Sequence, residues 1–301
     1  MTFHIVEFPS EGATLRGRFY SREPASPSPV VIMAHGTSAT ITMAIDRYAE
    51  VFHDAGLAVL LYDHRNFGMS GGEPRQEINP WIQARGYRDA ISFVEALPEV
   101  DSSRIAIWGD SVTAASVMVV GAVDTRLKAI VAQIPTLGRE PPPLDPTGAL
   151  FAGLREVLLT GDVSGSTETT VGPLPVVSFD QIGSPSFLTP ISAFRWFIEY
   201  GGRHGTGWLN WATRVTPATP VPFHAGLCAP HISAPILFLI APADEMPGAN
   251  PAVSRQAFDA VPGPKELLEI AGGHFGLLHY PSALFDHAST VQRDFLVRQL
   301  G

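Results

Sequence analysis

The sequence predicts an α/β protein with a doubly wound, mostly parallel sheet that is interrupted by one inserted segment. Short, almost continuously apolar runs alternate along the chain with longer segments of helical period. Such runs are typical of strands covered on both faces, and their alternation with helices predicts right-handed β-α-β crossovers. One interval, residues 136–234, breaks the alternation. With 301 residues, 45% of them hydrophobic, the chain can bury a full core.

The elements follow in order from the N-terminus. An antiparallel hairpin is predicted first, with strands at Ile5–Phe8 and Leu15–Tyr20 and a turn at Glu11 and Gly12. Buried strands are predicted in six later runs: PVVIMAHG, LAVLLYDHRN, RIAIWGDS, KAIVAQIP, PILFLIAP and KELLEIAGGH. Helices are predicted between them, at Met43–Ala55, Trp81–Ala96, Val112–Gly121, Ala252–Ala260 and Leu284–Leu300.

Residues 136–234 are predicted to form a cap or lid over the carboxyl edge of a core built from residues 1–135 and 235–301. The segment opens on three prolines, contains a Ser/Thr-rich stretch at 161–172 and carries three tryptophans. Helices are predicted at Ala149–Leu159 and Ser192–Tyr200. The alternative is a partly disordered insertion. Two observations argue against disorder: the many aromatic side chains of the segment need a place to be buried, and a structureless loop of this length is unusual.

Charge and composition exclude several classes of partner. The net charge is −9 without a Lys/Arg cluster, which argues against a nucleic-acid partner. The single cysteine, Cys228, cannot form an intramolecular disulfide and is expected to be a small buried side chain. The first residues lack the charged and apolar regions of a signal peptide, and no apolar run reaches the roughly 18 residues of a membrane span. We therefore expect a cytoplasmic protein with no membrane partner.

The strongest chemical signal surrounds Ser111. The stretch from Arg104 to Ser116 reads as a strand, a sharp turn at Gly109–Thr113 and a helix. A serine in such a strained turn presents its hydroxyl above the sheet, as in the nucleophile-elbow pattern G-x-S-x-G. Thr113 stands where the second glycine belongs. By itself the motif is equally compatible with a serine that caps the helix.

The residues after the later strands favour the nucleophile. Serine needs a base within hydrogen-bond reach, and that base is oriented by a carboxylate. Asp244 follows the strand PILFLIAP, and His274 follows the last strand between flanking glycines. Glu245 is an alternative acid, and His279 is an alternative base without a glycine-hinged loop. A carboxylate nucleophile, as in dehalogenases and epoxide hydrolases of such a fold, is disfavoured because position 111 is a serine.

These motifs resemble those of the α/β-hydrolase superfamily, and the resemblance extends from Val30 to the C-terminus. Within that superfamily, the sequence is most similar in character to the dienelactone-hydrolase-like and serine-aminopeptidase-like branches. The matching pieces are Ala34-His35-Gly36, the segment Asp63–Ser70, the turn at Ser111, the Asp244 loop and Gly272-Gly273-His274. The resemblance implies the α/β-hydrolase fold with an inserted cap, catalysis by Ser111, Asp244 and His274, and no requirement for a cofactor or metal.

The resemblance also implies an oxyanion hole formed by the backbone N–H groups of Thr37 and Val112. His35 is expected to be structural rather than catalytic, and Asp63 and Arg65 to form a structural pair beneath the site. Asp110 could orient a substrate amine or raise the pKa of the histidine, although a carboxylate hydrogen-bonded to nearby turn amides is the simpler interpretation. The aromatic residues of the cap could line an acyl pocket or pack as core: Phe194, Trp196, Phe197 and Trp208.

The sequence thus predicts a serine hydrolase that cleaves a carboxylic ester, thioester or lactone through an acyl-enzyme on Ser111. A small-molecule acyl substrate is expected, and an apolar cap favours a neutral one. One alternative keeps the same fold and changes the reaction to acyl transfer, carbon–carbon bond cleavage or peptidase action. The other is a ligand-binding protein with little turnover, an interpretation that Thr113 in the place of the second glycine leaves open. A homodimer is also left open.

Overall fold

Eleven strands are present in the computed structural model, which describes residues 2–21 and 27–301. Residues 1 and 22–26 of the predicted core segment lie outside the described residues. The strands are β1 (His4–Ser10), β2 (Ala13–Tyr20), β3 (Ser28–Ala34), β4 (Ala58–Tyr62), β5 (Glu77–Ile78), β6 (Val100–Asp110), β7 (Leu127–Gln133), β8 (Thr167–Leu174), β9 (Ala212–Pro217), β10 (Ile236–Ile240) and β11 (Lys265–Glu269).

Eight of these strands form one sheet in the order β1-β2-β4-β3-β6-β7-β10-β11. β1 and β2 form the predicted antiparallel hairpin, and β2 also runs antiparallel to β4. All the other pairs in this sheet are parallel. The doubly wound, mostly parallel α/β fold predicted from the sequence is therefore confirmed.

Seven of the eight α-helices that the structure describes lie where the sequence period places them, with ends shifted by at most two residues, as helix ends commonly are. The short helix Ala225–Cys228 was not predicted. The eight helices are α1 (Ile45–Asp54), α2 (Pro80–Glu95), α3 (Val112–Val123), α4 (Ala149–Thr160), α5 (Ile191–Gly201), α6 (Ala225–Cys228), α7 (Pro251–Ala260) and α8 (Ala283–Leu300). The start of α2 shows why helix boundaries can be predicted from the sequence. The Asn79 side chain accepts hydrogen bonds from the N–H groups of Trp81 and Ile82, and Pro80 occupies the first turn.

The core lies on both faces of the sheet. Successive residues of β3 point to opposite sides: Val30 and Ile32 pack in a cluster with α2 and α3, whereas Val31 and Met33 pack in a cluster with α1 and α8. Because both faces are covered there, the central strands β3, β4, β7 and β10 are apolar at nearly every position, which is why the sequence predicted them as continuous runs. The prediction of a buried strand is wrong for β11, which lies at the edge of the sheet and has no buried residue. Among the described residues, no helix combines the length and apolarity needed to cross a bilayer.

Residues 136–234 contain the two predicted helices, present as α4 and α5, and two strands that the sequence did not reveal. β8 and β9 pair antiparallel and extend to the short β5 as a separate three-stranded sheet. β8 is exposed at nearly every position and rich in threonine, so it lacks the apolar alternation that marks a strand. The segment also contributes to both hydrophobic clusters, for example through Leu154 and Trp196.

Candidate active site

Ser111 lies at the sharp turn between β6 and α3, with φ 58° and ψ −118°. This backbone conformation is strained for an L-residue and persists only where the surroundings enforce it. The Ser111 N–H donates to the carbonyl of Gln133 at 2.9 Å, and its own carbonyl accepts from the Thr136 N–H at 3.1 Å. A side chain at Gly109 would collide with the backbone of Thr113. The end of β7 therefore braces the turn, and the glycine lets strand and helix approach.

The structure brings together the three side chains that the sequence singled out. The Oγ of Ser111 lies 2.9 Å from Nε2 of His274, and Nδ1 of the same ring lies 2.7 Å from Oδ2 of Asp244. The Thr136 hydroxyl is a further neighbour of the serine, with 3.2 Å between the two oxygens. The side chains of His274 and Asp244 are each 3% exposed, so water hardly competes for their hydrogen bond.

Glu245, the alternative acid, faces the backbone rather than the imidazole ring. One carboxylate oxygen accepts the N–H of His274 at 2.8 Å, and the other accepts the Ser192 hydroxyl at the start of α5. A side chain at Gly273, which has φ +68°, would meet this carboxylate. Glu245 therefore ties the histidine loop to residues 136–234. The alternative base, His279, packs against the ring of Tyr200 instead.

The turn that follows β3 passes directly beside the serine. Thr37 and Val112 both line the cavity in front of Ser111, and neither backbone amide donates a hydrogen bond to another described group. A Cβ on Gly36 would come within 3.0 Å of an Asp110 carboxylate oxygen and 3.2 Å of the Ser111 Cβ. A Cβ at this position would require Asp110 or Ser111 to shift by a few tenths of an ångström, so glycine favours the close approach. Thr37 and Val112 therefore lie at the cavity wall beside the serine.

His35 and His64 form a buried support beneath this turn. Nδ1 of His35 lies 2.8 Å from the Gly36 carbonyl, and its Nε2 accepts the N–H of His64 at 3.2 Å. Burial lowers the pKa of both imidazoles, which keeps them neutral. His35 therefore holds the backbone of the turn and does not contact the Ser111 hydroxyl.

The predicted pair between Asp63 and Arg65 is wrong. The Asp63 carboxylate accepts the backbone N–H groups of Ile41 and Met69 at 3.0 and 2.9 Å. Arg65 donates instead to the carbonyl of Glu73 at 3.0 Å. Backbone amides of two loops can satisfy a buried carboxylate as well as a guanidinium can, and sequence proximity does not distinguish these partners.

Asp110 is a buried carboxyl group in the cavity wall, 4% exposed. Its Oδ1 accepts from the Gln133 side-chain amide at 2.9 Å, so its partner is a side chain rather than the turn amides expected from the sequence. Burial raises the pKa of Asp110 to about 6, against the lowering effects of Gln133 and His274. The group therefore changes charge close to neutral pH.

One cavity of about 260 Å³ opens in front of Ser111 and His274. Of the predicted substrate contacts, Asp110 and Trp196 line it, as does Phe197. Phe194 packs edge-on against Phe179, and Trp208 packs against Phe197 and the end of α5, so neither belongs to the cavity wall. The wall also contains residues that the sequence did not suggest: Thr136, Arg139, Phe187, Leu188 and Arg214.

The sequence could have indicated some of these missed cavity residues. Thr136 and Arg139 follow the strand β7, and in parallel sheets ligands bind beyond the carboxyl ends of the strands. Phe187 and Arg214 carry no such signal, because they belong to residues 136–234. Among residues 2–21 and 27–301, no group of three or more His, Cys, Asp or Glu side chains is arranged to hold a metal ion.

Several characterised proteins are similar to the chain in sequence. Thiohydrolase aneE of Aspergillus aculeatus is 39% identical over 137 residues, which are 45% of this chain and only 42% of that relative. The quorum-quenching protein AidA of Acinetobacter baumannii is 26% identical over 298 residues, covering 97% of this chain and 94% of its own length. No protein-family model matches the chain.

Solved structures show the fold. The α/β-hydrolase GrgF from Penicillium sp. sh18 superposes with a TM-score of 0.73 at 23% identity, over 100% of this chain and 99% of that one. Its likeness extends over the parallel sheet and over residues 136–234 alike. The chain therefore has the α/β-hydrolase fold.

Proposed function

We propose that the chain is a serine hydrolase that cleaves a carboxylic ester, thioester or lactone through an acyl-enzyme on Ser111. The observation that carries the proposal is the continuous contact from the Ser111 hydroxyl through the His274 ring to the Asp244 carboxylate, at 2.9 and 2.7 Å. Three loops distant in sequence deliver these groups to one point, in the geometry of a nucleophile, its base and the group that orients the base.

The proposed reaction has two steps. His274 accepts the proton of Ser111 as the serine oxygen attacks the acyl carbon, and it then returns the proton to the departing alcohol or thiol. A water molecule, deprotonated by the same ring, attacks the acyl-enzyme, and the serine regains its proton as the acid product leaves. The Asp244 carboxylate accepts a hydrogen bond from the Nδ1–H group throughout, which keeps Nε2 directed at the serine and stabilises the imidazolium.

The backbone amides of Thr37 and Val112 are the proposed donors to the developing oxyanion. Both line the cavity at the elbow. Donors of this kind are each worth about 2.7–4 kcal/mol of transition-state stabilisation, because they are already oriented before charge develops. Thr113 supports this arrangement, since its hydroxyl donates to the His35 carbonyl at 2.6 Å and so ties α3 to the turn that carries Thr37.

We also propose that residues 136–234 act as the cap of this site. They supply Phe187, Leu188, Trp196 and Phe197 to the cavity wall, over the serine and histidine of the core segments 1–135 and 235–301. An apolar wall of this kind suits the acyl part of a substrate. The name of the thiohydrolase relative supports the inclusion of thioesters among the candidate substrates.

Substitution of the serine tests the proposal. We expect the wild-type protein to react stoichiometrically with a fluorophosphonate probe and to hydrolyse members of a panel of p-nitrophenyl esters, lactones and acyl thioesters. Ser111→Ala is expected to abolish the labelling and to lower kcat/KM by at least about 10⁴-fold, because the nucleophile is lost. Ser254→Ala, at a buried serine of α7, is the matched control and should retain both activities.

Near-complete esterase activity in Ser111→Ala would rule out the mechanism. A folded wild-type protein that neither reacts with the probe nor hydrolyses any substrate would favour the ligand-binding alternative. Addition of a primary alcohol or thiol as acceptor separates hydrolysis from acyl transfer: free acid as the main product supports the hydrolase, whereas a dominant ester or thioester product identifies a transferase.

A further inference from the structure

Two positively charged side chains line the cavity without a carboxylate partner. Arg139 follows β7, and Arg214 belongs to β9. Within residues 2–21 and 27–301, neither guanidinium forms an ion pair. The sequence offers no reason for an arginine at either position, because an apolar cap over a neutral substrate requires no cation at the cavity wall.

Unpaired arginines are the exception in this acidic chain. Aspartate and glutamate outnumber lysine and arginine by 29 to 20, so a carboxylate is rarely far away. Most of the arginines that the structure describes do form ion pairs, as do Arg126 with Asp124 and Arg255 with Glu269. Arg139 and Arg214 are two of the six described arginines that form no ion pair, and they line the same cavity.

Arg214 also has a surrounding that suits an incoming anion. Its guanidinium carbon lies 5.5 Å from the centre of the Phe187 ring, which lines the same cavity. The side chain is exposed, yet the protein around it is dense enough that burial lowers the pKa of Arg214 from its usual value. A partly desolvated guanidinium without a counter-ion is costly, and a bound anion removes that cost.

We infer that the acyl substrate carries an oxyanion group, and that Arg214 together with Arg139 binds this group in the cavity. The inference rests on the proposed function, since it concerns the substrate of the same site. The guanidinium fork matches a carboxylate or a phosphate in two-point hydrogen bonding. The oxyanion has two sources: a free carboxylate at the far end of the acyl chain, or a phosphate on the thiol portion of a thioester.

Matched substrate pairs measure the preference for an anion. The first pair is mono-p-nitrophenyl adipate and p-nitrophenyl hexanoate, which differ at the end of the acyl chain. The second pair is hexanoyl-4′-phosphopantetheine and hexanoyl-pantetheine, which differ only in the phosphate on the thiol portion. We expect the ratio of kcat/KM, anionic over neutral, to exceed one for at least one pair. The pair that shows the preference identifies the source of the anion.

Arg214→Gln is expected to lower that ratio by at least about 10-fold, the loss typical of a hydrogen bond to a charged group. Arg139→Gln should lower it in the same direction. Arg195→Gln is the matched control, because Arg195 is an exposed arginine of α5 outside the cavity wall and its loss changes the net charge equally. Ratios below one for both pairs, or a ratio that Arg214→Gln leaves unchanged, overturn the inference.

A binding measurement separates this inference from the proposed chemistry. Ser111→Ala is titrated by calorimetry with monoethyl adipate and with diethyl adipate. We expect the monoanion to bind at least about 10-fold more tightly, and Arg214→Gln in the same background to remove the difference. Anion-selective binding without any hydrolysis by the wild type would overturn only the hydrolase proposal. Hydrolysis through Ser111 without any preference for an anion would overturn only the role of the arginines.

Discussion

At the scale of single residues, Asp110 is the least expected group in the site. It is a carboxylate beside the nucleophile, and a chain of buried side chains holds it. Gln133 donates to Asp110, Gln292 donates to Gln133 at 2.6 Å, and the Trp108 indole donates to Gln292 at 2.5 Å. Each amide in this chain gives one hydrogen bond and receives another, so its orientation is fixed. A fixed amide donor then holds the carboxylate in place at the cavity wall.

The charge on Asp110 is expected to lower the stability of the fold above about pH 6. Its pKa is raised from 3.8 to about 6 in the folded state, so the folded protein binds the proton more tightly than the unfolded chain does. The free energy of unfolding therefore falls as pH rises from about 4 to 6, and the loss persists above 6. Asp110→Asn keeps an acceptor for Gln133 and removes the charge. Relative to wild type, it should gain more stability at pH 8 than at pH 4.5, by about 2 kcal/mol.

Urea unfolding of both proteins at the two pH values measures this difference. Asp101→Asn is a control of opposite sign, because hydrogen bonds from Ser103 and Arg104 lower the pKa of Asp101 to about 2. Its carboxylate favours the fold at neutral pH, so the substitution should reduce stability at pH 8. An equal effect of Asp110→Asn at both pH values would contradict the raised pKa.

At the scale of elements, the first turn of α3 explains the departure from the glycine pattern. Thr113 occupies the position of the second glycine, and it is buried at the crossing of strand and helix. Its hydroxyl donates to the His35 carbonyl at 2.6 Å and lies 3.2 Å from Nε2 of His64. A glycine at position 113 would leave room for the crossing of strand and helix, but it would form no side-chain hydrogen bond. The threonine therefore joins the elbow helix to the two loops that follow β3 and β4.

Thr113→Val, which keeps the shape and removes the hydroxyl, is expected to cost about 1–3 kcal/mol in the free energy of unfolding. The His35 carbonyl loses its donor in a place that water does not reach. Thr113→Ser retains the hydroxyl and should lose only about 0.8 kcal/mol for the methyl group. Chemical denaturation compares the variants, with Thr169→Val on the exposed strand β8 as control. If the valine variant proves as stable as wild type, the hydroxyl contributes nothing to the elbow.

At the scale of the whole molecule, residues 136–234 are not a separate body resting on the sheet. Cys228 in α6 is fully buried in the cluster that contains α2 and α3, and Trp196 in α5 packs in the cluster on the opposite face. The segment thus shares both hydrophobic clusters with the core segments. Elements that bury their apolar surface together are expected to unfold together.

The thiol of Cys228 can be used to test whether residues 136–234 unfold together with the core segments. Burial raises the pKa of Cys228 well above its usual value, so we expect no reaction of the native protein with Ellman's reagent at pH 8. In a urea titration, thiol reactivity should appear with the same midpoint as the loss of far-UV circular dichroism, to which the helices α1, α2, α3, α7 and α8 of the core segments contribute most. Reactivity at clearly lower urea would show that residues 136–234 open independently of the sheet.

The sequence by itself determined the succession along the chain of the strands of the main sheet and of the helices other than α6, and it singled out the three residues proposed for catalysis. Buried parallel strands are apolar throughout and helices repeat every three to four residues, so both are local properties of the chain. The positions of Ser111, Asp244 and His274 also follow from local information, because each directly follows a strand whose carboxyl end faces the same edge of the sheet.

Only the tertiary structure decided which side chains meet. It placed Asp244 rather than Glu245 against the imidazole, paired Asp63 with backbone amides rather than with Arg65, and brought Arg214 into the cavity wall. Each of these contacts joins segments far apart in the chain, and the competing partners are adjacent or chemically alike. A one-residue difference in a loop reverses the direction of a side chain, and only the packed fold fixes that direction.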